Sequence, residues 1–141
     1  LASDHRGYDL KQKLTKYLNK KGYTVIDYGC DDKNSHDYPE YAFKLGEAVR
    51  DKKVEKGIAI CGSGIGISIA CNKVKGVRCA KVNNPKEAKY TRQDNDANII
   101  ALNGNMRLYK AKDIVDTFLN TPFSNEERHK KRIKMVDEYK C

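Results

Sequence analysis

The chain has 141 residues, of which 39% are hydrophobic and 33% are charged, and it carries a formal net charge of +9 at pH 7. This length favours one domain with a single core, and this composition excludes a disordered or fibrous chain. The sequence has no apolar stretch of membrane-spanning length, so neither a membrane partner nor a signal peptide is expected.

The cysteines and the basic charge narrow the possible partners. Five cysteines without CxxC spacing, together with only three histidines, argue against a disulfide framework or a structural zinc site. A reducing, cytoplasmic location is therefore expected. The positive charge favours an anionic partner. However, the lysines of "LKQKLTKYLNKK" fall on a solvent-facing side and no nucleic-acid-binding pattern is present, so a nucleic-acid partner is not expected.

Predicted strands and helices alternate from the beginning of the chain. The opening "LASDH" is typical of the end of a strand whose first residues are missing, and apolar residues recur at helical spacing from Leu10 to Leu18. The next strand is "YTVIDYG", and a helix begins near Pro39. The continuous apolar run "GIAIC" predicts a buried parallel strand that ends at Cys61.

The second half of the chain continues this alternation. Helices are predicted from about Gly64 to Lys73, Pro85 to Gln93 and Met106 to Leu119, with the strands "GVRCAKV" and "ANIIAL" between them. The residues "SNEE" have the spacing of a capping box and predict a last helix over about 125–140. Its predicted inward-facing residues are Ile133, Val136 and Tyr139.

Five strands separated by helices predict an α/β protein, a three-layer α/β/α sandwich around a parallel Rossmann-like sheet, formed by one domain over residues 1–141. We expect the flavodoxin-like strand order 2-1-3-4-5. Such sheets bind ligands beyond the carboxyl ends of the strands where the order reverses, here between the first and third strands. Asp4 and His5 follow the first strand and Cys61 ends the third, so they are expected to meet there.

The stretch "CGSGIGISI" places three glycines at alternate positions directly after Cys61. Backbone N–H groups around Gly62, Gly64 and Gly66 are expected to approach an anion closely, at the positive end of the following helix. This environment favours a thiolate, which is suited to proton transfer beside a stabilised oxyanion. In the structural alternative, Cys61 is a small buried residue and the glycines only permit tight packing.

The class of anion follows from the motifs that are missing. The spacing G-x-G-x-G differs from the dinucleotide fingerprint, and no P-loop pattern is present, so a smaller ligand is expected. Arg128 and Arg132 lie one turn apart on the last predicted helix and form a fork suited to phosphate. A solvated basic helix face is the structural alternative.

Several motifs together resemble the ribose-5-phosphate isomerase type B family, which includes galactose-6-phosphate and allose-6-phosphate isomerases. They cover nearly the whole chain in order: "SDHRG" at 3–7, "DYPEYA" at 37–42, "CGSGIGISIACNKVKGVRCA" at 61–80, "RQDNDANI" at 92–99 and "FSNEERHKKRI" at 123–133. The resemblance implies that ribose 5-phosphate and ribulose 5-phosphate interconvert through an enediolate in the pentose phosphate pathway, without a metal or cofactor. It also implies a homodimer or homotetramer with active sites between subunits.

The resemblance implies a role for each matching residue. Cys61 matches the base that moves a proton between two carbons, and Ser63 matches a hydroxyl residue that assists it. The loop whose amides hold the enediolate oxygen is matched by Gly62, Gly64, Ile65 and Gly66. The matches to residues around the sugar are Asp4, His5, Tyr38 and Asn95. The matches to the phosphate ligands are Arg128 and Arg132, with His129 beside them.

Two positions depart from the family pattern. Many relatives have a histidine at the place of Asp94, and that histidine assists opening of the furanose ring. One alternative is that Asp94 takes over ring opening, either as a base or as an acid that burial keeps protonated. Another is that His5 opens the ring, and a third is that the enzyme uses the open-chain sugar as it forms in solution. A surface residue is the structural alternative. Where relatives read Gly-x-Arg, this chain reads "ALNGNMRL". Either Asn105 or Arg107 would take the place of that arginine, so the residue that makes this phosphate contact is left open.

The sequence leaves two further functions open. A six-carbon sugar phosphate is an alternative substrate, because the sequence does not fix the sizes of the loops around the site. A phosphometabolite-binding module without catalytic activity is the alternative of a different class.

Overall fold

A computed structural model describes residues 1–140, and within them four parallel strands form one sheet with six helices around it. The strands are β1 (Ala2–Ser3), β2 (Gly57–Cys61), β3 (Cys79–Lys81) and β4 (Ile99–Asn103). The helices are α1 (Tyr8–Lys20), α2 (Tyr38–Arg50), α3 (Ile65–Cys71), α4 (Pro85–Asn95), α5 (Leu108–Asn120) and α6 (Glu127–Glu138). None of these helices is long and apolar enough to cross a lipid bilayer.

The alternation of side chains along β2 divides the core between the two faces of the sheet. Ile58 and Ile60 pack with apolar residues of α1, α4 and α5, whereas Ala59 and Cys61 pack with those of α2 and α3. All five residues of β2 are buried, as expected for a parallel strand covered by helices on both faces. The predicted three-layer α/β/α architecture is confirmed.

The order of the last two strands differs from the prediction. The sheet has the order β1-β2-β4-β3, so the strand that comes last in the chain lies inside the sheet and β3 lies at the edge. β4 pairs with β2 over five residues, from Gly57↔Ile99 to Cys61↔Asn103. Its first four residues are fully buried, whereas all three residues of β3 are partly exposed. The more apolar strand therefore takes the inner position.

The predicted second strand, "YTVIDYG", lies beside β1 without forming a regular strand. Its backbone is bonded to the first residues of the chain, since Tyr28 N–H donates to Leu1 O at 2.8 Å and Ser3 N–H donates to Gly29 O at 2.7 Å. The bond from Ser3 falls on Gly29, which has a φ of +102°, so the segment does not keep the regular register of a parallel strand. The sheet therefore has four regular strands instead of the five that were predicted.

The last helix also differs in detail from its prediction. α6 begins at Glu127 and the preceding Asn125 has a φ of +61°, so Ser124 does not cap it and the predicted capping box is wrong. Val136 and Tyr139 are 64% and 77% exposed, which contradicts their predicted inward orientation. Within residues 1–140, α6 is an outer helix that rests mainly on α4.

Candidate active site

A cleft of about 860 Å³ lies beyond the carboxyl ends of β1 and β2. These strands are parallel neighbours, and the chain leaves β1 toward one side of the sheet and enters β2 from the other, so the strand order reverses here. The sequence-predicted residues that line the cleft are Asp4, His5, Tyr38, Cys61, Gly62, Ser63 and Gly66. The two neighbouring strand ends thus bring together residues that are far apart in the sequence.

Asp4 fixes the turn that follows β1. Its buried carboxylate accepts hydrogen bonds from the backbone N–H groups of Arg6 at 2.9 Å and Gly7 at 3.1 Å. Its own N–H donates to Ile60 O at 3.2 Å, which ties the turn to β2. The carboxylate therefore orients the backbone on which His5 and Arg6 stand.

Cys61 ends β2 with its sulfur facing the glycine loop. The backbone N–H of Gly64 donates to Cys61 Sγ at 3.1 Å, so the loop and the sulfur are in direct contact. Gly64 caps α3 with a φ of +79°, and a Cβ there would lie 3.0 Å from the carbonyl carbon of Leu102. Only glycine allows the loop to fold back this closely onto the sulfur. The residue is only 4% exposed but lines the cleft.

The loop also offers N–H groups to a ligand. The first helical bond of α3 runs from Ser68 N–H to Gly64 O, so the N–H of Gly66 has no helical acceptor. Within residues 1–140, the N–H groups of Gly62 and Ser63 also make no hydrogen bond, whereas that of Ile65 is bonded to Ser63 Oγ at 3.1 Å. Because α3 has only seven residues, these individual donors matter more than a helix dipole.

Two histidines meet at the opposite wall of the cleft. His36 N–H donates to His5 Nδ1 at 3.1 Å, so neutral His5 carries its ring proton on Nε2. The ring of His36 lies 2.6 Å from Asp32 and 3.1 Å from Tyr41 Oη. The hydrogen bond from His36 also holds the pKa of the Asp32 carboxyl below its ordinary value.

Tyr38 covers one side of the glycine loop. A Cβ on Gly66 would lie 2.7 Å from Tyr38 Cζ, so the ring rests directly on the loop backbone. Tyr38 begins α2, which packs against α3, and the next residue, Pro39, suits the first turn of a helix. The phenol is 38% exposed and faces the cleft.

Several residues of the cleft were not predicted from the sequence. The sequence pattern gives no role to Arg6, His36 or Asp37, yet all three line the cleft. The proximity of Arg6 and Asp37 to the matched motifs was the available signal, since they lie inside "SDHRG" and "DYPEYA".

A second group of predicted site residues lies elsewhere. His129 is buried, and its Nε2 lies 3.4 Å from both Asp94 Oδ1 and Glu126 Oε2. Asp94 itself is 48% exposed, so the alternative in which burial keeps it protonated is not supported. Arg128 is paired with Glu126, and Arg132 is exposed on the same helix. We call these residues, with Asn95, the α4–α6 cluster.

The cleft lies at the carboxyl ends of the strands, and the α4–α6 cluster lies toward their amino ends. α4 begins after the carboxyl end of β3, and its 11 residues carry the chain about 16 Å back toward the amino edge, where β4 begins. Arg78 anchors this end, since its guanidinium donates to Asn95 O at 3.0 Å and to Asp137 of α6 at 2.8 Å. One chain therefore does not bring Asp94 to Cys61.

The loop after β4 returns to the cleft edge. Gly104 N–H donates to Cys61 O at 2.8 Å, and a Cβ on Gly104 would collide with Arg6 O. Asn105 N–H donates to Asn103 Oδ1 at 2.7 Å, and Arg107 precedes α5 as an exposed residue. Neither Asn105 nor Arg107 lines the cleft of the single chain.

Within residues 1–140, the cysteines outside the cleft, Cys30, Cys71 and Cys79, lie in the core or pack against it. Burial raises the pKa of the Cys30 thiol, and contact with the Cys71 thiol, together with burial, raises the pKa of Cys79 well above its ordinary value of 9.0. In the part of the chain that the structure describes, no three or more His, Cys, Asp or Glu residues are grouped so as to hold a metal ion. Proton transfer on an anionic ligand is the chemistry that the cleft residues support.

Known proteins share this arrangement. The family model described as Ribose/Galactose Isomerase matches residues 1–136. The chain is 39% identical over 134 residues to ribose-5-phosphate isomerase B of Escherichia coli (strain K12), covering 94% of this chain and 89% of that protein. The structure of ribose-5-phosphate isomerase B from Clostridium thermocellum has a TM-score of 0.94 at 46% identity, covering 97% of this chain and 93% of that chain. The enzyme from Mycoplasma genitalium with bound ribulose-5-phosphate has a TM-score of 0.92 at 37% identity, covering 98% and 92%.

Proposed function

The chain belongs to the ribose/galactose isomerase family, and we propose that it interconverts D-ribose 5-phosphate and D-ribulose 5-phosphate. The observation that carries this proposal is the Cys61 thiol, which lines a cleft beside unbonded backbone N–H groups. A base and oxyanion donors in one place are what an enediolate mechanism needs. Relatives named for this reaction cover more than nine-tenths of the chain.

Cys61 is proposed as the base of the isomerisation. As a thiolate it removes the proton from C2 of the open-chain aldose, and the electron pair of the C2–H bond forms a C1=C2 double bond while O1 becomes an oxyanion. A proton moves from O2 to O1, for which Ser63 is the proposed carrier, and the C2–O2 carbonyl forms as Cys61 returns its proton to C1. Atoms and charge balance without a metal or cofactor.

The glycine loop is proposed to hold the enediolate oxygen. Gly62, Ser63 and Gly66 line the cleft together with Cys61, and their N–H groups make no hydrogen bond within residues 1–140. Their positions are fixed by Gly64, so they are available before negative charge develops, which is the condition for effective oxyanion stabilisation. Asp4, His5 and Tyr38 line the rest of the cleft and are proposed to contact the sugar hydroxyls.

We propose that a second copy of the chain completes the site. In one chain the α4–α6 cluster lies at the edge of the sheet opposite to the cleft, so Arg128 and Arg132 reach a sugar phosphate in the cleft only from another subunit. Beside the thiol loop, α3 exposes Ile65 and Ile69, at 53% and 60%, which supports an apolar contact with that copy. A homodimer is the simplest assembly that meets this requirement.

Asp94 is proposed to assist ring opening as a base. Its half-exposed carboxylate lies 3.4 Å from His129 Nε2, which orients it without removing it from solvent. In this role the carboxylate would accept the proton of the anomeric hydroxyl. Asn95 is proposed to bind the sugar from the same subunit.

The test is turnover. Purified protein is incubated with D-ribose 5-phosphate and the ketose product is measured, with allose 6-phosphate and galactose 6-phosphate in parallel. We expect the five-carbon substrate to be preferred, because relatives that share the fold are named for it. The variant Cys61→Ala should lose about 10³-fold or more in kcat while its circular dichroism spectrum is unchanged.

Two results would contradict the proposal. Preference for a six-carbon sugar phosphate would place the chain with the other substrate of the family description. Tight binding of ribose 5-phosphate without turnover would indicate a binding module instead. Near-normal turnover by Cys61→Ala would reject the base assignment alone.

A cytoplasmic location stays a prediction.

A further inference from the structure

We propose that Arg6 is a further catalytic residue, whose guanidinium neutralises negative charge on the enediolate formed beside Cys61. This inference rests on the proposed isomerase activity. The residue stands in the turn after β1, and its side chain crosses to the glycine loop after β2. Neither the motif spacing nor the oxyanion loop described above requires an arginine here.

The contact with the loop is close. A Cβ on Gly62 would lie 2.7 Å from Arg6 Cδ and 3.1 Å from Arg6 Nη1, so the guanidinium rests over the residue that directly follows Cys61. Glycine at position 62 is thus what makes room for the arginine. The charge is held at the reacting end of the cleft, where the sulfur lies.

The backbone of Arg6 is fixed. Its N–H is bonded to the buried Asp4 carboxylate at 2.9 Å, and its carbonyl oxygen packs against Gly104, where a Cβ would collide with it. The neighbouring Gly7 rests on Ile60 with space for no side chain. A cation presented from such a backbone needs little reorganisation when charge develops nearby.

The guanidinium has no partner of its own. Within residues 1–140 it makes no ion pair or hydrogen bond, and no other permanently cationic side chain lines the cleft. The other charged groups of the lining are the carboxylates of Asp4 and Asp37, and the Asp4 carboxylate is already engaged by two N–H groups. An anion that enters the cleft is therefore the natural partner of Arg6.

The position favours the enediolate over the phosphate of the same substrate. The phosphate is separated from C1 and C2 by the remaining carbons of the sugar, and the arginines of the α4–α6 cluster are proposed to bind it. Arg6 lies against Gly62, the residue that follows Cys61, and is therefore placed to act where the proton is removed. A charge that acts on the transition state changes kcat, whereas a phosphate ligand changes KM.

The test compares Arg6→Gln and Arg6→Lys in the full-length enzyme. We expect Arg6→Gln to lower kcat for ribose 5-phosphate by about 10- to 100-fold, less than loss of a buried oxyanion donor because the side chain is exposed. The inhibition constant of a phosphorylated hydroxamate, a stable mimic of the enediolate, should rise by a similar factor, whereas that of inorganic phosphate should be unchanged. Arg6→Lys should restore part of the loss, since it keeps the charge.

Arg50→Gln is the matched control, because it removes an exposed guanidinium at the far end of α2 and should leave kcat unchanged. An unchanged kcat in Arg6→Gln would refute the role of Arg6. A rise confined to KM and to the inhibition constant of inorganic phosphate would also refute it, and would make Arg6 a phosphate ligand. Absence of turnover by the wild-type protein would instead refute the proposed function.

Discussion

The cleft and the α4–α6 cluster contrast in how much of a site one chain builds. In the cleft, the ends of two strands bring Asp4, His5 and Cys61 together, and backbone hydrogen bonds join the turns that carry them. In the α4–α6 cluster, side chains of two helices group around His129 at the opposite edge of the sheet. The first region holds the Cys61 thiol and backbone N–H groups of the glycine loop, and the second holds two arginines.

This contrast indicates how the proposed reaction is divided. Proton transfer needs atoms fixed to a fraction of an ångström, and the cleft fixes them with strand ends and glycine turns inside one domain. Phosphate needs positive charge at a distance from the reacting carbons, which we propose the exposed arginines on the outer helix of a second copy supply. On this proposal each region needs the other, although the two lie apart in one chain.

The largest expected effect comes from separating the two regions on different chains. Cys61→Ala and Arg132→Ala should each be nearly inactive alone. When equal amounts are unfolded, mixed and refolded, a site that takes its cleft from one chain and its arginines from another is intact in about one case in four. We therefore expect about a quarter of the wild-type rate, measured as ketose formation.

A mixture of Cys61→Ala and Cys61→Ser is the control, because no combination of those chains has an intact cleft. Recovery in that mixture would point to an artefact of refolding. No recovery in the first mixture, with dimers present by light scattering, would mean that the cleft and the α4–α6 cluster do not share a site.

The next effect concerns the rigidity of the cleft. Gly64→Ala should lower the free energy of unfolding by about 1–3 kcal/mol, because alanine is strained in the left-handed backbone conformation of this residue. A further loss is expected because the added Cβ would lie 3.0 Å from the backbone of Leu102. Gly76→Ala has a similar φ of +88° but a nearest neighbour 3.9 Å away. Chemical denaturation of both variants should show the larger loss for Gly64→Ala. Only Gly64→Ala should also lower kcat, and equal losses would mean that the close approach is unimportant.

Much of the cleft follows from the sequence because it depends on chain order and backbone. An apolar run that ends in a cysteine and glycines predicts both a buried strand and a tight turn, and the turn fixes where the sulfur lies. Strand order was harder, since the choice between β3 and β4 for the inner position depends on total burial across both faces. The irregular pairing at Gly29 depends on a local φ that the apolar pattern of "YTVIDYG" does not reveal.

Side-chain direction was the least predictable part. Arg6 and His36 line the cleft because loops from three parts of the chain meet there. Arg6 at least lies inside the motif "SDHRG", whereas nothing local to His36 signals that meeting. The exposure of Val136 and Tyr139 has the same origin, since a helical stripe predicts an apolar face but not whether the same chain covers it. Contacts between distant segments decide these cases.

A smaller effect is expected from Asp94, whose carboxylate lies 3.4 Å from the buried ring of His129. Asp94→Asn removes the proposed base for ring opening and should lower turnover of the cyclic substrate by about tenfold, less than a typical acid–base loss because open-chain sugar also forms spontaneously. Asp94→His, measured at several pH values, supplies a group that donates as well as accepts a proton. If neither variant changes the rate, Asp94 is a surface residue.

The smallest effect separates the cleft thiol from the thiols of the core. Because contact with Cys71 and burial raise the pKa of Cys79 well above 9.0, folding keeps this thiol protonated where the unfolded chain releases its proton. The unfolded state then binds fewer protons, so the free energy of unfolding should fall as pH rises above about 9, by at most about 1.4 kcal/mol per pH unit per thiol. Denaturant titrations at pH 8, 9 and 10 measure this slope, and Cys79→Ala should reduce it whereas Cys61→Ala retains the contribution of Cys79. An equal slope in wild type and Cys79→Ala would show that this thiol ionises in the folded protein as readily as in the unfolded chain.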